Sequence, residues 1–209
     1  MSDPADAAPP SGAFGHRSRY SLVAIVLHWV IAVLILANIG VGWRMSGLKG
    51  LAQFELFQLH KSIGVTVLLL SLLRIAWRVV NKPPRHATAL TPVEQRASSI
   101  VHGLLYAFIL AVPLTGWVVV SASAYNLPTV LFGVAPWPHL AFIHDLPMAL
   151  RKLIDTRVGA LHQWLAWSML VLAGVHAAAA LKHHLWDRDD VLARMAPLPR
   201  RRPALNPEV

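Results

Sequence analysis

Residues 21–43 are 23 consecutive positions without a charged side chain. At about 1.5 Å per residue, a helix of that length crosses a hydrocarbon core of roughly 30 Å. Inside such a core every backbone N–H and C=O must be satisfied by the protein itself, so the chain is confined to helices or a closed barrel. Three further apolar stretches of spanning length follow. Residues 62–80 carry Arg74 and Arg78 near their end and stop at Pro83 and Pro84. Residues 97–122 contain Pro113 and Gly116, which kink a membrane helix without breaking it. Residues 158–181 are the last. The sequence predicts an all-α integral membrane protein, one four-helix bundle over 21–195 with no internal repeat. Residues 1–20 read as a polar tail, and the first span, too long for a signal-peptide core, as a retained anchor. Residues 196–209, rich in proline and arginine, read as a disordered tail that touches anionic lipid.

Charge fixes the expected orientation. The chain holds 19 Lys and Arg against 10 Asp and Glu, a net charge of +9. In a soluble protein that excess would point to nucleic acid. Here its distribution across the spans explains it, and no nucleic-acid partner is expected. Thirteen of the basic residues fall in the N-terminal tail, around the connection between the second and third spans, and in the C-terminal tail; six fall on the other side. Both termini are therefore expected on the cytoplasmic face. The largest outer piece, 123–157, is rich in proline and apolar residues and is expected to lie on the membrane surface as a lid.

The chain has no cysteine, which excludes disulfides, thiolate metal sites, cysteine-ligated iron–sulfur clusters and covalently attached haem. Metal chemistry must rest on the 11 histidines. His16, His86, His139, His144 and His184 lie outside the spans and are expected to face water. An ionisable side chain at membrane depth is a functional candidate by default, although a neutral histidine bonded to a neighbouring helix is the plain alternative. Four make a pattern. His162 and His176 share one span, 14 residues apart, which is about 21 Å along the axis on nearly the same face. His28 on the first span lies near the depth of His176, and His60, at the outer end of the second, near that of His162.

Facing imidazoles at two levels are the ligands expected of two b-type haems stacked across the bilayer. With both axial positions filled no site remains for oxygen on the metal, which points to electron transfer. Gly64, Gly174 and the alanines at 177–180 are small residues of the kind that let a flat macrocycle approach the backbone, or that simply pack helices. Arg74, 14 residues after His60, belongs at the inner level, where it can pair a propionate, hold a quinone or snorkel to headgroups. By depth alone His102 could replace His28 or His176.

The strings Leu27-His28-Trp29, His60-Lys61-Ser62-Ile63-Gly64, Leu161-His162, Gly174-Val175-His176-Ala177 and Leu181-Lys182-His183-His184, with Trp186 and Leu192-Ala193-Arg194-Met195, resemble the bacterial cytochrome b561 family. The resemblance covers about 18–195 and is most specific in the fourth span. It is greatest to the stand-alone superoxide oxidases, inner-membrane proteins that pass electrons from periplasmic superoxide to ubiquinone. It implies His28, His60, His162 and His176 as haem ligands, and it gives His102 a packing or quinone-side role. It also places His183 by the quinone pocket, a candidate proton partner with Arg74 as neighbour. At the outer mouth Lys61 and Arg157, with Arg44, Arg151 and Lys152, are candidates to draw in anionic superoxide, or else to bind propionates and cap helices. Two alternatives stand beside this reading. One is a quinol-linked relay cytochrome serving a dehydrogenase or periplasmic carrier. The other is a histidine-based metal transporter, which the absence of Asp and Glu from the spans disfavours.

Overall fold

The computed structural model describes residues 20–81, 91–189 and 191–196. The readings made for residues 1–19 and 197–209, and for Lys82, Arg85 and His86, lie outside these. The order of elements is α1 (Leu22–Ser46), α2 (Gly50–Val80), α3 (Pro92–Ala122), β1 (Thr129–Leu131), β2 (Ala135–Trp137), α4 (Ala141–His144) and α5 (Met148–Leu185). The long helices α1, α2, α3 and α5 are each long and apolar enough to cross a membrane. Local sequence sets their starts. The Ser21 hydroxyl accepts from the Ala24 amide at 3.3 Å, and Thr91 with Glu94 forms a reciprocal capping box behind Pro92.

The helices outrun the spans. α2 begins at Gly50 rather than at 62, α3 at Pro92 rather than 97, and α5 at Met148 rather than 158. Hydropathy marks where side chains tolerate hydrocarbon, whereas a helix, once nucleated, continues wherever the next residue adds a hydrogen bond. The stretches before 62 and 158 are good helix formers that happen to carry charge.

Residues 123–157, expected as a lid, fold into two short strands, the short helix α4 and the first part of α5. Thr129–Leu131 and Ala135–Trp137 form a short antiparallel hairpin, with Thr129 opposite Trp137, the one departure from helix among the described elements. Residues at 132 and 133 turn it with positive φ, 49° at Phe132 and 74° at Gly133. The hairpin is seated on the outer part of α2: the Phe132 amide donates to Ser62 Oγ at 3.0 Å, and Lys61 Nζ and Gln58 Nε2 both donate to the Pro128 carbonyl at 3.0 Å. Arg151, buried at the start of α5, donates to the carbonyls of Ala122 and Ser123 and so satisfies the end of α3. Of the alternatives open for Arg151, helix capping is what the structure records.

Packing inside the bundle is uneven. α1 closes on α2 through Leu27, Ile31, Ile63 and Val67, and α3 closes on α5, but α5 makes little direct contact with α1 or α2. The outward faces carry large exposed apolar side chains, among them Val33, Leu36, Leu72 and Val171, as a lipid-facing bundle requires. The centre, between the α1–α2 pair and α5, is where the histidines meet.

Candidate functional site

α5 presents His162 and His176, and each meets an imidazole from the opposite pair of helices. His60 of α2 faces His162 with ring centroids 6.2 Å apart and planes at 88°. His28 of α1 faces His176 at 6.3 Å and 84°. A metal bonded by both rings at about 2.0 Å, with about 1.1 Å from each nitrogen to its ring centre, sets centroids about 6.2 Å apart. Both pairs match that spacing. His102 of α3 also reaches the inner level, with its centroid 5.2 Å from that of His176. That is too close for the two rings to bind one metal from opposite sides, so His28 is the imidazole correctly placed to oppose His176.

The outer pair is held in a defined orientation. His60 Nδ1 lies 3.1 Å from the Asn38 carbonyl, and His162 Nδ1 lies 2.9 Å from the Val112 carbonyl, with Thr115 Oγ1 at 3.2 Å. A carbonyl only accepts, so Nδ1 carries the proton and Nε2 is left with its lone pair free. This is the usual way in which a ligating histidine is oriented. The rings also lie against glycine. A Cβ on Gly42 would stand 3.1 Å from His60 Cε1, and one on Gly116 would stand 3.1 Å from His162 Cε1. Between them is a cavity of about 380 Å³, bounded by His60, His162, Gly42, Gly64, Gly116 and Trp137. Two imidazoles whose ring centres stand 6.2 Å apart, each with Nδ1 turned to a carbonyl, with walls cut back to glycine, fit a flat metallocofactor held by two histidines.

The sequence profile of the family described as prokaryotic cytochrome b561 matches residues 19–197. The chain belongs to this family. Cytochrome b561 homolog 2 of Escherichia coli (strain K12) is 32% identical over 181 residues, 85% of this chain and 90% of that protein. A probable superoxide oxidase, CybB of Yersinia pestis, is 27% identical over 87% of this chain and 97% of its own length. Cytochrome b562 of Cereibacter sphaeroides is 29% identical over 84% and 94%. The protein is thus a cytochrome b561-type transmembrane electron-transfer protein of a bacterial membrane, and b-type haem is the cofactor that the family implies.

The remaining candidates of this cytochrome lie at the two ends. At the inner level Arg74 Nη1 donates to the Ala24 carbonyl at 2.7 Å, one turn before His28. Beyond it, His183 Nδ1 stands 3.0 Å from Asp187 Oδ2 and 2.8 Å from Asp189 Oδ2. The C-terminal segment folds back here, its Met195 carbonyl accepting from Trp29 Nε1 at 2.8 Å. At the outer end Lys61, only 6% exposed, borders the cavity and lies 4.8 Å from the Phe57 ring centre. Arg157 is exposed on the outer part of α5.

Three features were missed in the sequence. Gly42 and Gly116 were not singled out as cradles, although each lies 14 residues after a histidine, His28 and His102 respectively. The same step links His60 to Arg74 and His162 to His176, so that interval would have found them. The carbonyl partners of His60 and His162 leave no signal, because any residue supplies a carbonyl. Finally, His139 and His144 do not simply face water: they are half-buried and stacked, centroids 5.1 Å apart at 14°. Burial, and then the charges of His144, Lys61 and Arg151, hold His139 below the usual imidazole range. His184 is exposed as expected.

Proposed function

We propose that this cytochrome carries electrons from periplasmic superoxide to ubiquinone through two bis-histidine haems. The observation that carries the reading is the pair of imidazole pairs, at 6.2 and 6.3 Å, joined by the 14-residue step along α5, which is about 21 Å of rise. His60 and His162 would hold the outer haem, and His28 and His176 the inner one. When bound, haem supplies reversible one-electron chemistry, and two such centres at these levels bridge most of the bilayer. With two histidines to hold each haem, no coordination position would be left for oxygen or a substrate.

The reaction balances as two superoxide anions and one quinone, with two protons, giving two molecules of oxygen and one quinol. Oxidation of superoxide releases no proton and needs only an electron acceptor within reach. Lys61 keeps a cation beside the outer cavity and Arg157 adds one on the same end, and positive charge raises the local concentration of an anionic substrate. At the inner end Arg74 would hold the quinone and His183 supply protons. The excess of Lys and Arg on the side of the termini supports a cytoplasmic location for both, with the hairpin end in the periplasm. A relative named as a probable superoxide oxidase, similar over 87% of this chain, supports the choice of substrate.

The test is a pulse of superoxide, with catalase present, added to the oxidised protein in detergent while the haem α band is followed. The reading expects rapid reduction and then reoxidation when a short-chain ubiquinone is added. A spectrum that ignores superoxide but responds to quinol would replace it with a relay cytochrome. Purified protein with no haem band would return the histidines to a transporter.

A further inference from the structure

The two imidazole pairs are alike in spacing and unlike in what surrounds them. At the outer pair each Nδ1 is turned to a carbonyl, that of Asn38 at 3.1 Å from His60 and that of Val112 at 2.9 Å from His162. Thr115 Oγ1 adds a second acceptor 3.2 Å from His162 Nδ1. At the inner pair the rings stand 6.3 Å apart, and among the described residues no hydrogen bond is made by a ring nitrogen of His28 or His176.

The inner pair has a cation instead. Arg74 is half-buried, its Nη1 donates to the Ala24 carbonyl at 2.7 Å, one turn before His28, and its charge acts on both His28 and His176. The ion pairs of the described residues gather farther along, at Lys182 and His183, so no carboxylate among those residues neutralises Arg74. An unneutralised charge at membrane depth is expensive to place there and, in surroundings of low dielectric, is felt strongly by its neighbours. The outer cavity has Lys61 on its border, but that ammonium is turned to the hairpin. It donates to the Pro128 carbonyl and acts on His139, and it is not among the charges that act on His60 or His162.

These differences push a bound redox centre in opposite directions. A metal that gains an electron loses one positive charge, so a nearby cation favours the reduced state. An imidazole whose N–H donates to a carbonyl is a more basic ligand and favours the oxidised state. We infer that Arg74 sets the potential of the inner haem, its unneutralised guanidinium placing that centre above the carbonyl-anchored outer one. An electron given up by superoxide, which leaves as oxygen, then runs downhill from the level of His60 and His162 to that of His28 and His176. The inference rests on the two-haem reading above and adds to it the residue that gives the current its direction.

The experiment is an equilibrium redox titration of the haem-loaded protein in detergent, followed at the α band, and it uses neither superoxide nor quinone. Two midpoints are expected in the wild type, the higher of them retained by His60→Ala, which keeps only the inner pair. Arg74→Gln is expected to lower that midpoint by about tenfold in the oxidised-to-reduced equilibrium, which is about 59 mV for one electron. The other midpoint, the haem content and the low-spin spectrum should not change. Arg74→Lys keeps the charge and is expected to recover most of the shift. Thr115→Val, which removes one acceptor from His162 Nδ1, is expected to move the outer midpoint alone, upward and by less. If Arg74→Gln fails to hold haem, the order still decides: a His60→Ala midpoint matching the lower of the wild-type pair would overturn the inference. So would an Arg74→Gln protein with neither midpoint moved or both moved equally, or a fall in Arg74→Lys as large as in Arg74→Gln. A wild-type protein that takes up fewer than two haems would instead overturn the two-haem reading itself.

Discussion

At the outer histidine pair the smallest residues carry the tightest constraint. A Cβ at Gly116 would already stand 3.1 Å from His162 Cε1, so a branched side chain there must push the ring off its carbonyl partner at Val112. Gly116→Val is therefore expected to convert the outer haem out of its low-spin, two-histidine state while the inner one is unaffected. Electron paramagnetic resonance of the oxidised protein would show one of two low-spin signals lost; two unchanged signals would mean that Gly116 does not support the ring. The histidines themselves were legible because a titratable group at membrane depth has few reasons to be there. Depth arithmetic alone paired His28 with His176 and His60 with His162. It could not separate His28 from His102, which reaches the same level; the family resemblance favours His28, whose ring centre stands 6.3 Å from that of His176 against 5.2 Å for His102. Gly116 was read as a kink because its partner lies on another helix, at a contact no local pattern encodes.

At the scale of elements, the hairpin depends on a few polar anchors in place of a core. Ser62, 1% exposed, accepts from the Phe132 amide and donates to the Gln58 carbonyl. Ser62→Ala leaves that amide without its acceptor and is expected to cost about 1–3 kcal/mol. Thermal unfolding of the haem-loaded protein would read it, together with faster proteolysis between 129 and 137; an unchanged midpoint with an intact hairpin would show that the seat on α2 is not needed. The long helices were legible as elements because a bilayer admits little else, but their ends were not. Residues 50–61 and 148–157 carry the charge that ended each predicted span, yet they continue the helix, since backbone hydrogen bonding does not stop at the edge of hydrocarbon. The hairpin was invisible for a related reason: strands of three residues, one containing Pro136, give no alternating pattern to detect.

For the molecule as a whole, the bundle is two tightly packed helix pairs with its functional residues in the looser space between them. That architecture gives the proposed current a direction, entering at the hairpin end and leaving at the end where α5 meets the returning C-terminal segment. The absence of native cysteine makes the orientation directly readable. Val134→Cys, on a residue 84% exposed at the hairpin tip, is expected to react with an impermeant maleimide in intact spheroplasts. Arg96→Cys, near the start of α3, is expected to react only after lysis, and the reverse pattern would invert the topology. The account stands most directly on the haem count. Pyridine haemochrome assay against protein mass should give two haems per chain for the wild type and one each for His60→Ala and His176→Ala. Retention of both haems by either variant would contradict the assignment of facing histidine pairs on which the rest depends.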